Sequence, residues 1–296
     1  MEMLLGFLVL LACLVIGVRH GGLGLAAVSG VGLIIFTFGF GYRPGKPPID
    51  VMLTIMAVVT CAGFLQTSGG LTVMLKYAEK FLRRNPKYIT ILAPITTWLL
   101  TVLCGTGHVV YTMFPIIYDI AIKEGIRPER PMAVASVASQ MGICASPVSV
   151  AIVSIVSFMA TAGYSFSVAQ ILVVAIPATF TGVFCGAIWS LRRGKDLAQD
   201  ERFQELIKNP EQKAYVYGDT ESLQDKQLPK EYYYAMIIFF LGIIVIAILG
   251  NNPQLILGPD GKPISMTLVI QMVMLFVAAM IIFLCKVNAK DVGNSS

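Results

Sequence analysis

The chain has 296 residues, 56% of them hydrophobic and 13% charged, with a formal net charge of +5. Soluble domains run about 45–50% apolar and about 25% charged, so a water-soluble fold of this composition could not cover its own surface. The apolar residues come in long blocks near the ~20-residue length of a membrane-crossing helix, and the alternating strands of an outer-membrane barrel are absent, so the sequence predicts an all-α polytopic membrane protein.

The stretch 192–231 carries eight basic and nine acidic residues, which leaves fourteen basic and eight acidic residues elsewhere. That surplus falls in short connections, where the positive-inside rule operates, and a nucleic-acid partner explains it poorly. The six cysteines, Cys13, Cys61, Cys104, Cys144, Cys185 and Cys285, sit in apolar blocks without metal-ligand spacing. They read as small buried hydrophobes outside any disulfide framework. With His20 and His108 the only histidines, no metal site or cofactor is assigned. HExxH, GxSxG and P-loop patterns are missing, so neither an enzyme nor ATP-driven transport by this chain is expected.

In chain order, residues 3–18 form a first apolar helix; the acidic Glu2 before it argues against a cleavable signal. Residues 21–41 are rich in glycine, which lets membrane helices approach closely. Residues 42–50, with Pro44, Pro47 and Pro48, predict a rigid turn, and 51–67 a further span. From 71 to 85 the pattern changes. Leu71, Met74, Leu75, Ala78 and Leu82 recur at helical spacing opposite Lys76, Glu79, Lys80 and Arg83, the mark of an amphipathic helix. Glu79 and Arg83 are four apart and can pair.

Residues 88–104 and 109–122 each look shorter than a comfortable span and are separated by Gly105-Thr106-Gly107. They read as a re-entrant hairpin. Its two ends are basic, with five cations across 76–87 and three across 123–130, which places that side in the cytoplasm. Residues 132–145 and 148–162 make a second broken pair, because Pro147 removes a backbone donor and disfavours helix at the residue before it. Ser136, Ser139, Gln140, Ser146 and Ser149 set polar groups along this run. A span at 168–191 follows, then the polar loop with one short helix near 200–207. Two last spans at 232–249 and 265–285 are joined by a turn over 251–262. The expected organisation is a membrane domain at 1–191, the loop at 192–231 and two further helices at 232–296.

Unwound backbone within a bilayer survives only where protein or water satisfies it, and transporters aim half-helix N-termini at anionic substrates from such breaks. The first break offers Gly105, Thr106, Gly107 and His108; the second offers Ser146, Pro147 and Ser149. Hydroxyl and N–H donors suit a carboxylate. Ordinary kinks are the plainer alternative. Arg83 and Arg127 are either substrate cations, since a guanidinium binds carboxylate through paired charge-assisted bonds, or topogenic surface charges. Glu79 could hold Arg83 when no substrate is bound, or carry a proton. Arg84, Lys87, Lys123 and Arg130 read as surface charges. His108 either titrates near neutral pH or hydrogen-bonds within the hairpin, and Asp119 either lines the cavity or caps it.

At these same places the sequence resembles a known family, the anaerobic C4-dicarboxylate transporters of bacteria, in their DcuB branch. The runs that carry the resemblance include Pro44-Gly45-Lys46-Pro47-Pro48-Ile49-Asp50, Leu82-Arg83-Arg84-Asn85-Pro86-Lys87-Tyr88, Cys104-Gly105-Thr106-Gly107-His108 and Ile126-Arg127-Pro128-Glu129-Arg130-Pro131. They continue in Ala145-Ser146-Pro147-Val148-Ser149 and Tyr215-Val216-Tyr217-Gly218-Asp219-Thr220. The resemblance implies a multi-pass inner-membrane transporter that exchanges external fumarate, malate or aspartate for internal succinate in anaerobic growth, with Glu79, Arg83 and Arg127 lining its cavity. It also implies partnership with a dicarboxylate-sensing histidine kinase. Family members are longer, with spans beyond the position of Ser296, so the chain looks truncated, half of an inverted-repeat architecture. A dicarboxylate-responsive regulatory subunit is the alternative.

Overall fold

The computed structural model describes residues 2–285 except 44, 46–48, 165, 219–221, 225, 259–260 and 262–263. The expected proline turn at 42–50, the middle of the 251–262 turn, Asp219-Thr220 and the C-terminal residues therefore lie wholly or partly outside the described residues. The chain divides into two compact units, Met1–Pro48 and Ile49–Ser296.

The first unit is a pair of packed helices, α1 (Glu2–Arg19) and α2 (Gly21–Ile34), with a π-helical turn at Ile35–Gly39. Glycine makes the packing close. A β-carbon on Gly17 would lie 2.7 Å from Leu25 Cδ1, and one on Gly32 3.0 Å from Cys13 Sγ. Lipid supplies no hydrophobic drive between helices, so such small residues are what bring backbones together.

The second unit holds α3 (Ile49–Thr67), α4 (Gly70–Arg84), α5 (Ile89–Cys104), α6 (Val109–Lys123), α7 (Glu129–Ile143), α8 (Val150–Thr161) and α9 (Val168–Ser190). Two short helices in the polar loop, α10 (Glu201–Leu206) and α11 (Pro210–Val216), precede α12 (Lys230–Asn251) and α13 (Met266–Cys285). Among the described residues five stretches are long and apolar enough to cross a membrane: Ile49–Thr67, Pro86–Cys104, Val168–Ser190, Lys230–Gly250 and Met266–Cys285. Met3–Arg19 and Leu23–Gly39 are shorter apolar helices. The fold is thus the expected all-α, multi-pass one.

Local chemistry explains several boundaries. Ser167 caps α9 in a reciprocal box with Gln170, which satisfies two otherwise unpaired N–H groups. Asp200 caps α10 through the N–H groups of Arg202 and Phe203. Asn209 caps α11 with Pro210 at its first position, a start signal readable in Asn-Pro that the sequence reading passed over. Gln271 donates to the Asp50 carbonyl (2.9 Å) and to Thr54 Oγ1 (2.8 Å), tying α13 to the start of α3.

Three expectations need correction. With the 3-10 turn Pro86–Tyr88, the first arm of the hairpin reaches 19 residues and is long enough to span; only α6, at 15 residues, is short. Glu79, assigned to the polar face of α4, is 1% exposed, because the polar loop folds back over it. Of the cysteines, Cys61 and Cys104 are buried, but Cys144, just past the end of α7, and Cys185 on α9 are exposed, where lipid can accept a thiol.

Candidate functional site

The site begins with two interruptions that meet. α5 ends at Cys104 because Gly105 takes a left-handed conformation, φ +73°, its N–H bonding the Thr101 carbonyl. Only glycine adopts that geometry without steric cost. α6 starts after His108, whose backbone N–H reaches Thr106 Oγ1 at 3.4 Å. On the other segment, α7 stops at Ile143 and α8 restarts at Val150. Between them Ser146 Oγ accepts from the Val148 N–H and Ser149 Oγ from the Ile152 N–H, each at 3.3 Å. Ser149 is thus the cap of α8. Ala145, Ser146 and Ser149 are fully buried, so this unwound backbone lies inside the bundle.

The two breaks touch. A β-carbon on Gly105 would stand 2.9 Å from Val148 Cγ2 and 3.2 Å from the Val148 carbonyl. One on Gly107 would stand 3.0 Å from both Gln140 Nε2 and Ile143 Cδ1. Just below, Gly142 lies against Thr101 and the Trp98 carbonyl, so α5 and α7 pack with their C-terminal ends side by side. The N-termini of α6 and α8 accordingly begin in the same neighbourhood. Each such end carries about half a positive charge, although the Val110 and Tyr111 N–H groups of α6 bond the Gly107 and His108 carbonyls and the Ile152 N–H of α8 is capped by Ser149. Thr101 is fully buried, and its Oγ1 has no hydrogen-bond partner among the described residues. Sequence reading passed it over, because a threonine in an apolar helix ordinarily bonds its own backbone, as Thr97 does to Ala93. His108 is exposed, its ring stacked 6.1 Å from Tyr111.

The charged candidates form a second cluster. Arg83 Nε donates to Glu79 Oε1 at 2.7 Å and its Nη2 to Asp119 Oδ2 at 2.8 Å; Lys123 completes the group at 2.8 Å from Asp119 Oδ1. Glu79 also accepts from Ser222 Oγ (2.9 Å) and the Leu223 N–H (3.0 Å). Two buried carboxylates therefore face two cations, and both are paired. Partial burial works against the charge on Arg83. The hydrogen bonds and fields of Glu79 and Asp119 outweigh it and raise the Arg83 pKa.

Arg127 pairs with Glu129 and, at 3.1 Å, with Asp200; the bond to Glu129 chiefly raises its pKa. Arg130, read from sequence as a surface charge, has a side chain only 11% exposed. It binds the Arg193 and Gly194 carbonyls and Asp196. These arginines hold the polar loop onto the start of α7. Tyr118 adds a bond to the Val216 carbonyl, and Lys76 one to that of Lys226.

The structure thus gathers Gly105, Thr106, Gly107, His108, Ser146, Pro147 and Ser149 around one meeting point and puts Glu79, Arg83 and Arg127 elsewhere. Asp119, the partner of Arg83, lies eleven residues beyond His108 on α6, about 16 Å along the axis at 1.5 Å per residue. A four-carbon dianion spans about one helical turn and cannot touch both places at once in this conformation.

These features define the class: a multi-pass α-helical membrane protein with discontinuous helices meeting in a buried break. A family model described as anaerobic C4-dicarboxylate membrane transporter (DcuA_DcuB) matches residues 2–296, and the chain belongs to that family. It is 53% identical to the anaerobic C4-dicarboxylate transporter DcuB of Escherichia coli O6:H1, across 97% of the chain and 65% of that protein. It is 35% identical to the C4-dicarboxylate transporter DcuA of Wolinella succinogenes (98% and 65%) and 34% identical to that of Helicobacter pylori (97% and 64%). The chain thus spans a little under two thirds of the length of these relatives. No solved structure matches it. The family is one of transporters rather than enzymes, and the relatives give no support to a purely regulatory subunit.

Proposed function

We propose that this chain carries C4-dicarboxylates across the bacterial inner membrane in exchange, taking fumarate, malate or aspartate in and passing succinate out. The observation that carries this reading, beside family membership, is the contact of the two breaks at Gly105 and Val148. The positive ends of α6 and α8, with the hydroxyls of Thr106, Ser146 and Ser149, supply donors and field for carboxylate oxygens. Glycine at 105 and 107 lets the backbones approach. The other end of the hairpin, with its cations and the polar loop, faces the cytoplasm in this reading.

Arg83 and Arg127 act as the cations that guard entry. Each is held by two carboxylates, and a dianion that draws Arg83 away from Asp119 exchanges one charge-assisted bond for another. Glu79 keeps Arg83 in place between visits. Exchange follows because the arginines fall back on their carboxylates while the emptied breaks keep the uncompensated positive charge of two helix N-termini, and such a site reorients slowly, exposed charge being costly in a membrane. In the inverted-repeat architecture this chain supplies one set of broken helices. A dicarboxylate-sensing histidine kinase is a further proposed partner, tested by co-purification.

The test is uptake of labelled succinate into proteoliposomes of the 296-residue chain loaded with unlabelled fumarate. Saturable exchange is expected, with a raised KM in Thr106→Ala and Ser149→Ala and a lower rate in Arg83→Gln and Arg127→Gln. Unchanged kinetics in all four variants would overturn the site assignment.

A further inference from the structure

Outside the breaks, α7 and α9 enclose a surface groove of about 610 Å³ walled by Val134, Val137, Met141, Gly182, Gly186 and Trp189. Glycine makes it deep. A β-carbon on Gly182 would meet nothing within 4 Å, and one on Gly186 only Val134 at 3.7 Å. The one hydroxyl on its wall, Thr179, is already bonded to the Ala175 carbonyl and accepts from Trp98. The groove is therefore apolar in chemistry as well as shape.

At the loop end the groove runs into a second pocket of about 290 Å³, sharing Ala133, Val134 and Trp189 with it and adding Arg127, Glu129, Arg130, Ser190, Arg193 and Gly194, with the Glu129 carboxylate paired to Arg127. The Arg193 guanidinium lies 3.7 Å from the centre of the Trp189 ring. Arg130 is spent on the loop carbonyls and Asp196, and Arg127 on Glu129 and Asp200. Arg192 and Arg193 are both exposed, and among the described residues neither pairs with a carboxylate.

We infer that this composite groove binds one anionic phospholipid, its acyl chain between α7 and α9 and its phosphate on Arg193 at the pocket wall, with the exposed Arg192 beside it in sequence adding to the positive field. The apolar groove needs a chain and the arginine end needs an anion; a phospholipid supplies both in one molecule, and a soluble anion supplies only the second. Tryptophan beside paired arginines at a helix end is also the arrangement expected at headgroup level, and basic pockets between membrane helices at the cytoplasmic face recognise lipid phosphates. Guanidinium suits phosphate through paired charge-assisted bonds.

Trp98 and Trp189 are the two tryptophans, so a Trp98→Phe chain reports from Trp189 alone. Reconstituted into phosphatidylcholine vesicles, it is titrated with phosphatidylglycerol or phosphatidylcholine carrying brominated chains, which quench tryptophan on contact. Phosphatidylglycerol should quench at several-fold lower mole fraction. Arg192→Gln/Arg193→Gln should remove that preference, each cation near a membrane surface being worth about fivefold in partitioning. Gly182→Leu/Gly186→Leu, which fills the groove and leaves every cation in place, should reduce quenching by both lipids. Equal quenching by the two lipids would overturn the inference, as would a preference that survives the double arginine variant. Displacement of phosphatidylglycerol by millimolar inorganic phosphate or succinate would reassign the arginines to a soluble anion and equally overturn it.

Discussion

Gly105 of one helical hairpin sits directly against Val148 of another segment, close enough that a β-carbon would meet the valine side chain at 2.9 Å and its carbonyl at 3.2 Å. Because Gly105 also has φ +73°, alanine there suffers twice. The left-handed backbone costs about 1–2 kcal/mol, and overpacking against Val148 adds about 1–3 kcal/mol. Gly125 has nearly the same φ, +71°, with nothing within 4 Å, so Gly125→Ala bears the backbone cost alone. Thermal unfolding in detergent should rank the variants wild type, Gly125→Ala, Gly105→Ala in falling stability, with exchange lost only in the last.

Gly142 makes the same argument one turn away. Its β-carbon would lie 2.7 Å from Thr101 Cβ and 2.9 Å from the Trp98 carbonyl, and backbone cannot yield as a flexible side chain can. Gly142→Ala should destabilise by about 1–3 kcal/mol and lower the exchange rate by separating α5 from α7, readable in the same two assays.

Thr101 buries a hydroxyl without a partner. Thr101→Val keeps the shape and removes that polar atom. The variant should gain about 1 kcal/mol of stability, the order of the penalty for a buried unsatisfied group. If the hydroxyl serves a substrate carboxylate, the KM for succinate rises in the same protein. Loss of stability would instead mean the hydroxyl is bonded in the folded protein.

Glu79 joins α4 to the polar loop through Ser222 and the Leu223 N–H, and is itself held by Arg83 on its own helix. Glu79→Gln weakens these charge-assisted bonds, worth about 1.5–3 kcal/mol each when an ion is involved. The stretch around 222–226 should then be cut several-fold faster by trypsin, while cleavage elsewhere is unchanged. Equal cleavage rates would remove Glu79 as the anchor.

The pH dependence of this anchor has a fixed sign on the arginine side. The Arg83 pKa is raised in the fold, so its contribution is complete below the unfolded value and is lost only as pH rises through the higher folded one. Between pH 6 and pH 9, on the order of the range membrane proteins tolerate, Arg83 stays charged because arginine titrates far above it. The tryptic pattern of the loop should therefore show no alkaline transition from Arg83 over that interval; a release of the loop on going from pH 7 to pH 9 would mean that a group other than the Arg83–Glu79 pair sets its docking.

Much of the fold was legible in local sequence. Unbroken apolar blocks fixed α3, α9, α12 and α13 to within a few residues, since a helix in lipid must satisfy its own backbone. Leu71, Met74, Leu75, Ala78 and Leu82 declared the inner face of α4 by their spacing, and Gly105, Gly107 and Pro147 marked both interruptions, although Pro94, Pro115 and Pro177 are carried inside continuous helices. Asn209-Pro210 carried a helix start that was equally readable.

What local sequence could not decide was partnership across distance. Glu79 looked solvated until Ser222 and Leu223, more than 140 residues later, covered it. Arg130 looked like a surface charge until the 193–196 backbone closed around it. Arg83 and the Gly105 turn seemed parts of one site, but an ion pair with Asp119 holds the arginine a hairpin's length from the tip. Composition and periodicity determine which segments are helices and where they break, because those depend on hydrogen bonds and side chains a few residues apart. Which breaks face each other, and which charges neutralise which, depends on close packing between remote segments, and only the tertiary structure settles that.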